Sequence, residues 1–553
     1  IDRRNTQAFP NQLYACNVNQ GYVYVSSVGA SPAALDQAAL EEGAETPTDF
    51  RQNIHGLVHV VDENSGAVVP QRTANLSELV AALEGEKRFA AVPHDLAFVD
   101  KTDLAYIAVL TANAVLRVNF GETPPVAGEP ISGANFIPTR PSPTGIAIHG
   151  TIAYVYNEVD RSVSKLDLAK QAPEGDAVES KAKPQPNTDE FKALEGQKFF
   201  NTALARWSKG AWVGCVGCHP FGTTDNVTWV FPAGPRNTVD TSATYDASGT
   251  VQRILNWTAI FDEVHDFELN TRTVAGGVGA IVEDGPDFGV RLNFVGPGGV
   301  LNPANGFNVG SVKEFNDEFG IPLADWDEID AFISTIRAPH GRTTSAEAIE
   351  KGRQVFDDAN CEYCHSGVLW TLSERYFQPI LDGDLRATTF EEAGITSLQA
   401  VFSSQTVIDD LGFANTPLIG NDANGAPQRH FCVVRDVDTF AALGPDNRGA
   451  DEKRDNGGNA QGVDGYNVPS LLNANTGAPY LHNGAAESLE KLLDPSGSFE
   501  THLKAGNVVF NPTAEDIQNL IAFIRSIDDT TPIFQIPEDH QLCPQGVVPK
   551  VER

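Results

Sequence analysis

Cys-Val-Gly-Cys-His occupies residues 215–219 of this 553-residue chain, and Cys-Glu-Tyr-Cys-His occupies residues 361–365. Both have the form Cys-x-x-Cys-His, in which two thiols reach the two vinyl groups of one porphyrin and the next imidazole ligates its iron. A thioredoxin-like Cys-x-x-Cys needs no following histidine, and a zinc site needs four ligands close together. Two such motifs predict two covalently bound haem c groups; the alternatives are two disulfides or two zinc half-sites.

The motifs assign the attachment cysteines and the proximal iron ligands. These are Cys215, Cys218 and His219 in the first motif, and Cys361, Cys364 and His365 in the second. The chain contains no Met, which excludes His/Met coordination by its own residues, the arrangement that raises a haem's potential. The sixth ligand of each iron is then His, Lys, Tyr, water or an open site.

The net charge of the chain indicates which classes of partner it can attract. The formal net charge is -34, which works against nucleic acid and anionic membrane surfaces. It favours docking of a cationic redox protein, such as a small cationic cytochrome, by electrostatic steering. Solubility or salt tolerance is the alternative interpretation. No run of about 18 apolar residues predicts a membrane span.

The compartment is predicted to be periplasmic or extracellular. The chain begins at Ile1 and lacks Met, so we expect that an upstream piece such as a secretion signal was removed. Haem c is attached outside the cytoplasm in bacteria, which indicates the same compartment. Of the remaining cysteines Cys16, Cys432 and Cys543, the last two are the preferred disulfide because both lie in the last domain.

Residues 1–168 read as short strands with an internal repeat. Pro-His-Asp-Leu-Ala-Phe at residues 93–98 recurs as Pro-Thr-Gly-Ile-Ala-Ile at residues 143–148, and an Ala-Tyr pair follows each copy. A poorer copy spans residues 22–62. Such repeats resemble the blades of a β-propeller of the Tyr-Val-Thr-Asn or WD-repeat kind. Three blades cannot close a ring, so further blades lie upstream, on a partner chain or in later segments; a small β-sandwich is the alternative.

The rest of the chain reads as a Pro- and charge-rich linker over residues 169–190 and two helical units, 191–340 and 341–553. Amphipathic helices predicted over residues 325–337 and 514–527 close the units, with acidic residues in the first turn and Arg in the last. We therefore expect a multidomain fold. An all-β propeller-like N-terminal region precedes two mainly α cytochrome c domains, which carry haem 1 and haem 2.

Residues 467–484 contain Asn-Val-Pro-Ser-Leu-Leu-Asn and then Ala-Pro-Tyr-Leu-His-Asn-Gly. With the paired haem motifs they resemble the bacterial di-haem cytochrome c peroxidase/MauG superfamily over about residues 190–530. A fainter echo lies at residues 235–238 and Trp257. The resemblance implies that peroxide reacts at the N-terminal haem and that the C-terminal haem supplies it with electrons. It does not cover the β-rich N-terminus.

The resemblance also indicates where the sixth ligand of haem 2 lies in the sequence. In the family this ligand, Met or Tyr, lies about fourteen residues past the Pro-Tyr-x-His motif, where this chain has Ser496. Serine cannot serve, so we hypothesise that His502 ligates the second iron opposite His365. His482 is the competitor, although by resemblance it lies near the haem edge.

The distal side of haem 1 is predicted within residues 256–268. Trp257 matches the family's tryptophan between the two haems, an aromatic relay for electrons. The candidates for a distal acid/base that moves a proton between the peroxide oxygens are Glu263, Asp266 and Glu268. His265 could instead close the iron as a sixth ligand. Helical spacing prevents all of them from facing one way, and a solvated acidic helix face is the alternative.

Two Asp/Asn/Gly-rich stretches, residues 421–425 and 451–465, could offer oxygen ligands to Ca²⁺, which the family often holds between its domains; ordinary loops share this composition. The predicted function is that of a secreted di-haem c-type cytochrome that transfers electrons and reduces peroxide or oxidises a substrate at haem 1. The alternative is a purely electron-carrying bis-His cytochrome, a docking or wiring subunit of a larger extracellular redox assembly.

Overall fold

The structure is a computed structural model of the chain. The longer stretches that it describes are residues 8–32, 53–83, 88–128, 135–186, 188–204, 213–231, 234–257, 325–371, 466–503 and 510–535. The other described positions are 264, 267, 291–293, 301–302, 306–307, 309–311, 373, 418–421, 427–429 and 433–434.

Two compact units divide the chain, and neither is continuous in sequence. Unit 1 comprises Ile1–Phe221 and Asn270–Phe332, and unit 2 comprises Gly222–Leu269 and Ile333–Arg553. The first attachment motif therefore belongs to unit 1 and the second to unit 2. The domain boundaries expected after residues 168, 190 and 340 stay predictions.

Unit 1 begins with three antiparallel sheets, each built from strands that follow one another along the chain. The first sheet contains β1 (Phe9–Asn19), β2 (Tyr22–Ala30), β3 (Ile54–Asp62) and β4 (Ala74–Asn75). The second contains β5 (Pro93–Phe98), β6 (Leu104–Val109), β7 (Ala114–Asn119), β8 (Val126–Ala127) and β9 (Phe136–Pro138). The third contains β10 (Pro143–His149), β11 (Ile152–Asn157), β12 (Ser162–Asp167), β13 (Ala172–Pro173) and β14 (Val178–Glu179).

The sequence repeat corresponds to a repeated strand pair. β5 and β10 both begin at the repeated proline, and both have a register shift directly after it. The repeated Ala-Tyr pairs lie on β6 and β11, the next strand of each sheet. The expected β-structure of the N-terminal region is confirmed, and its sheets are antiparallel, whereas the described residues form no closed ring of sheets. β13 and β14 fall inside the predicted linker and extend the third sheet.

Apolar side chains of successive sheets meet in two cores. Tyr24 and Val60 of the first sheet share a buried cluster with Ile107 of the second. Tyr106, on the opposite face of β6, joins Val155 of the third sheet in another. The two cores follow from the alternation of side chains along β6. Burying each large apolar side chain stabilises the fold by roughly 1.5–3 kcal/mol.

A close helix contact occurs in each unit. In unit 1, α2 (Asp189–Asn201) meets α3 (Asp325–Ile333), and a Cβ on Gly196 would lie 1.7 Å from the carbonyl oxygen of Glu328. In unit 2, α4 (Ala346–Asp358) packs on α7 (Ala514–Ser526). There a Cβ on Gly352 would lie 1.9 Å from the Asn519 carbonyl oxygen.

The remaining elements are short. The helices are α1 (Leu76–Ala81) in unit 1 and α5 (Leu489–Leu492) and α6 (Glu500–Leu503) in unit 2. The paired strands are β15 (Thr228–Phe231) with β16 (Gly234–Asn237), β17 (Arg291–Asn293) with β20 (Val309–Ser311), β18 (Leu301–Asn302) with β19 (Gly306–Phe307), β21 (Leu418–Asn421) with β22 (Pro427–Arg429), and β23 (Val433–Val434) with β24 (Tyr466–Asn467). The mainly α character expected after residue 190 is not confirmed, because these strand pairs accompany few helices. No described helix is long and apolar enough to cross a membrane.

Candidate functional site

The two attachment motifs adopt the same local geometry. Each begins with a 3₁₀ turn, Cys215–Gly217 in unit 1 and Cys361–Tyr363 in unit 2. In both, the first cysteine's carbonyl oxygen accepts hydrogen bonds from the second cysteine's N–H at 3.2 Å and the histidine's N–H at 2.9 Å. On a helical turn, residues three and four apart share a face. This spacing therefore directs both cysteines and the histidine of each motif towards one side.

The second motif opens onto a pocket built entirely from unit 2. Its lining includes Cys361, Cys364 and His365 and, from α6, His502. Many of the other lining side chains are apolar, among them Phe356, Leu471, Leu481, Leu489, Leu492, Leu503, Leu520 and Ile524. A cavity with apolar walls and a few convergent polar groups is the usual form of a cofactor site.

The His365 imidazole is held in its neutral form. Burial, and after it the neighbouring His502, lower its pKa to about 3, although backbone hydrogen bonds with Trp370 and Pro469 act in the opposite direction. Neutral imidazole is the form that ligates metals. His365 and His502, the two predicted ligands of one iron, thus line the same pocket and influence each other's charge.

The donor set of this pocket fits a haem better than a bare metal ion. Burial raises the thiol pKa of Cys361 and of Cys364 to about 12, and no disulfide joins them. Among the described residues, no group of three or more His, Cys, Asp or Glu side chains could hold a metal ion. Two thiols and an imidazole on one turn beside an apolar cavity are what covalent haem attachment requires.

An aromatic stack forms another part of the pocket wall. The rings of His482 and Tyr466 are stacked, with centroids 3.6 Å apart and an interplanar angle of 12°. Trp257 meets His482 edge-on at 6.5 Å, and its Nε1–H donates to the carbonyl oxygen of Asn237 at 2.8 Å. The structure thus brings together Trp257, His482 and His502, three residues selected from distant parts of the sequence.

The first motif is seated on the β-structure of unit 1. Gln12 of β1 donates a hydrogen bond from Nε2 to the carbonyl oxygen of Gly217 at 2.7 Å, and the Tyr14 hydroxyl donates to Gln12 Oε1 at 2.7 Å. The Tyr14 ring lies 4.8 Å from that of His94 on β5. Burial raises the phenol pKa of Tyr14. The strands therefore contact the attachment loop directly, a relationship that the sequence does not signal.

Several predicted site residues lie outside the described residues. These are Glu263, His265, Asp266 and Glu268 near haem 1, Cys432 and Cys543 of the predicted disulfide, and the Ca²⁺ candidates at residues 422–425 and 451–465. Cys16 is exposed on β1 and forms no disulfide.

The sequence does not signal a group of buried polar residues in unit 2. Arg253 and Asp240 line the second pocket, and Asp225 is buried nearby in sequence. The indole N–H of Trp229 donates to Asp225 Oδ2 at 3.2 Å, and burial raises the carboxyl pKa to about 7. These residues stand among Thr, Ser and Gly, a composition typical of solvent-exposed loops.

Comparison with known proteins adds little. No protein-family model matches the chain, and no curated protein matches it. Among solved structures, the chain is similar to xenon-pressurised hydrazine synthase from Kuenenia stuttgartiensis, with a TM-score of 0.28 and 15% identity, over 63% of this chain and 90% of that one. It is also similar to a nidogen/laminin complex, with a TM-score of 0.19 and 11% identity, over 31% of this chain. It spans about half the length (47%) of that second structure.

Proposed function

We propose that this chain is a di-haem c-type cytochrome that transfers electrons outside the cytoplasm and reduces peroxide or oxidises a substrate at haem 1. The observation that carries the proposal is the pocket of unit 2, where both thiols and the imidazole of one attachment motif meet a second histidine beside apolar walls. The first motif repeats the same turn and hydrogen bonds. The family proposed is the di-haem cytochrome c peroxidase/MauG superfamily.

The residues of unit 2 suit a closed electron-carrying site. A bound haem c would supply a one-electron carrier there. The S–H groups of Cys361 and Cys364 would each add across a vinyl double bond, which consumes the thiol proton and releases nothing. His365 and His502 would then ligate the iron, and the leucines of the wall would exclude water. With two histidines as ligands and apolar walls around them, such a site would favour electron transfer over chemistry at the metal.

Peroxide would react at the iron that His219 would ligate. One hydrogen peroxide, two electrons and two protons give two waters, with the electrons delivered by a reduced cationic redox partner. The proposed distal acids are Glu263, Asp266 and Glu268, with His265 as the ligand that would instead close the site. This function requires a haem bound at both motifs and an open coordination position at the first iron.

Haem attachment is tested by counting haems in variants of the full chain. Cys361→Ala/Cys364→Ala is expected to lose one of the two covalent haems, measured as a mass difference of one haem and a halved pyridine haemochrome absorbance. Cys215→Ala/Cys218→Ala is the matched variant and should lose the other. A Cys16→Ala control should keep both. A purified wild-type protein without covalent haem would refute the proposal.

The peroxidase assignment is tested at haem 1 by electron paramagnetic resonance and ligand binding in the oxidised and half-reduced protein. We expect one iron that binds cyanide or carbon monoxide and one that does not. Two low-spin irons that bind neither ligand in both states would exclude peroxide reduction and leave the electron-carrying alternative.

That alternative is a docking or wiring subunit of an extracellular redox assembly. Large apolar side chains are exposed on the first and third sheets, namely Leu13, Val18, Tyr154 and Tyr156. If the sheets are blades of an incomplete β-propeller, a partner chain would supply the missing blades. A stable complex isolated with a second chain, together with two closed haems, would favour this function. Ca²⁺ binding stays a proposal that rests on the family resemblance.

A further inference from the structure

A buried carboxyl group lines the second pocket, and neither haem attachment nor iron ligation uses it. Asp240 is 8% exposed and shares the pocket lining with Cys361, His365 and His502. Its Oδ1 accepts a hydrogen bond from the backbone N–H of Ser242 at 2.8 Å. Its Oδ2 is buried, and no hydrogen bond reaches it within the described residues. A buried carboxylate oxygen without a donor is costly, and protonation of the carboxyl removes most of that cost.

The charged group that faces Asp240 is Arg253, which is 4% exposed. Its Nε donates to the carbonyl oxygen of Ala243 at 2.9 Å, and its Nη2 donates to that of Ser242 at 2.9 Å and to that of Asp240. These bonds hold the guanidinium against the backbone, so it acts on the Asp240 carboxyl as a nearby charge.

The net effect of these surroundings favours the protonated carboxyl. Burial raises the pKa of Asp240, and this outweighs the opposing contributions of Ser242, Arg253 and Asn473. The other titratable groups of the pocket lining are Cys361, Cys364, His365, Tyr466, Tyr480, His482 and His502. One added or removed charge in the pocket would shift the pKa of Asp240 further, because nearby charges act strongly on a buried carboxyl.

We propose that Asp240 gains a proton when the second haem site is reduced and releases it on oxidation. This inference rests on the proposed function, because it requires a haem in this pocket. In the balanced step, a haem held in this pocket would accept one electron from the redox partner, and the Asp240 carboxylate would take up one proton from solvent. The coupled uptake keeps the charge of the pocket constant, which is favourable where the dielectric constant is low.

The test is the reduction potential of each haem against pH, measured by spectroelectrochemistry on the full chain. Between the pKa of Asp240 in the oxidised protein and its higher pKa in the reduced protein, we expect the second haem's potential to fall with rising pH. One proton per electron corresponds to about 59 mV for each tenfold change in proton concentration. Asp240→Asn, which keeps the shape but cannot ionise, should remove this slope and leave that of the first haem unchanged.

Asp225→Asn is the matched control, because Asp225 is a buried carboxyl of the same unit, 5% exposed, that is not among the pocket-lining residues. It should keep the wild-type slope. A full slope in Asp240→Asn, or its loss in Asp225→Asn, overturns the proposal.

Wild-type protein provides a measurement that needs no variant. Its redox difference infrared spectrum should contain a carboxylic acid C=O band that shifts when aspartate carboxyls are labelled with ¹³C, which separates it from haem propionates. Absence of a shifting band contradicts the proposal. Protein without covalent haem refutes the proposed function instead, whereas a haem protein with a pH-independent second potential refutes only this inference.

Discussion

At the scale of single residues, the second pocket offers two histidines beside His365, and their surroundings differ. His482 is 1% exposed and its ring stacks on Tyr466. His502 is only partly buried, lies on a short helix and influences the charge of His365 directly. The His482 ring is held in an aromatic stack, whereas His502 lines the pocket and is the histidine that lowers the pKa of His365.

We therefore expect His502→Ala to convert the second haem from low-spin to high-spin, because the iron loses one axial imidazole. Electron paramagnetic resonance and visible absorbance of the oxidised protein measure this change. His482→Ala is the matched control, since it removes an imidazole from the same pocket, and it should leave the second haem low-spin. The reverse pattern would assign the ligand to His482.

The raised pKa of Asp225 predicts how the free energy of unfolding changes with pH. Its folded-state pKa of about 7 lies above the ordinary aspartate value near 4. The folded protein therefore holds this proton more tightly than the unfolded chain, so the contribution is fully present below about pH 4 and is lost as the pH rises towards 7. We expect Asp225→Asn to flatten the decline in the free energy of unfolding between pH 4 and 7, as measured by denaturant titration. An unchanged pH profile would show that the carboxyl stays ionised when folded.

At the scale of elements, glycine sets the close helix contact in unit 2. Because a Cβ on Gly352 would lie 1.9 Å from the Asn519 carbonyl oxygen, Gly352→Ala should push α4 away from α7. We expect a loss of about 1–3 kcal/mol in the free energy of unfolding, the usual cost of overpacking. Gln354→Ala, on the exposed face of the same helix, should change it by less than about 0.5 kcal/mol. Equal effects of the two substitutions would argue against close packing at Gly352.

Local sequence patterns predicted individual strands and helices better than they predicted which segments belong to a sheet or to a linker. The repeated Pro-start and Ala-Tyr pairs identified β5, β6, β10 and β11, and amphipathic spacing located α3 and α7. The predicted helix over residues 325–337 ends at Ile333, earlier than the apolar pattern suggests. β13 and β14 were read as linker because two-residue strands carry no periodicity.

The residues of the candidate site also fall into two groups, those that the sequence alone identifies and those that it does not. The proposed attachment cysteines and proximal histidines were selected from residue order alone, because one helical turn fixes their relation. Asp240 and Arg253 could not be found, since their burial depends on residues 222–269 belonging to unit 2 together with the second motif. Nothing in the local sequence around residue 240 signals that association.

At the scale of the whole molecule, the net charge of -34 should govern encounters with redox partners. We expect the second-order rate of electron exchange with a small cationic cytochrome to fall about tenfold or more between roughly 0.01 and 0.2 M salt, because screening weakens long-range attraction. Stopped-flow absorbance measures this rate. An anionic carrier of similar potential is the control, and its rate should rise with salt. A rate independent of salt for both carriers would leave solubility as the role of the charge.

The hydrogen bond from Gln12 to Gly217 joins residues 205 positions apart. Such a contact closes a long loop of chain, and the entropy of closing that loop must be lost before the contact can offset it. We therefore expect the loop at Gly217 to reach its final surroundings only together with the N-terminal strands. A fragment beginning near residue 188 would retain both attachment motifs, yet the loop at Gly217 would mature without the strand that supports it.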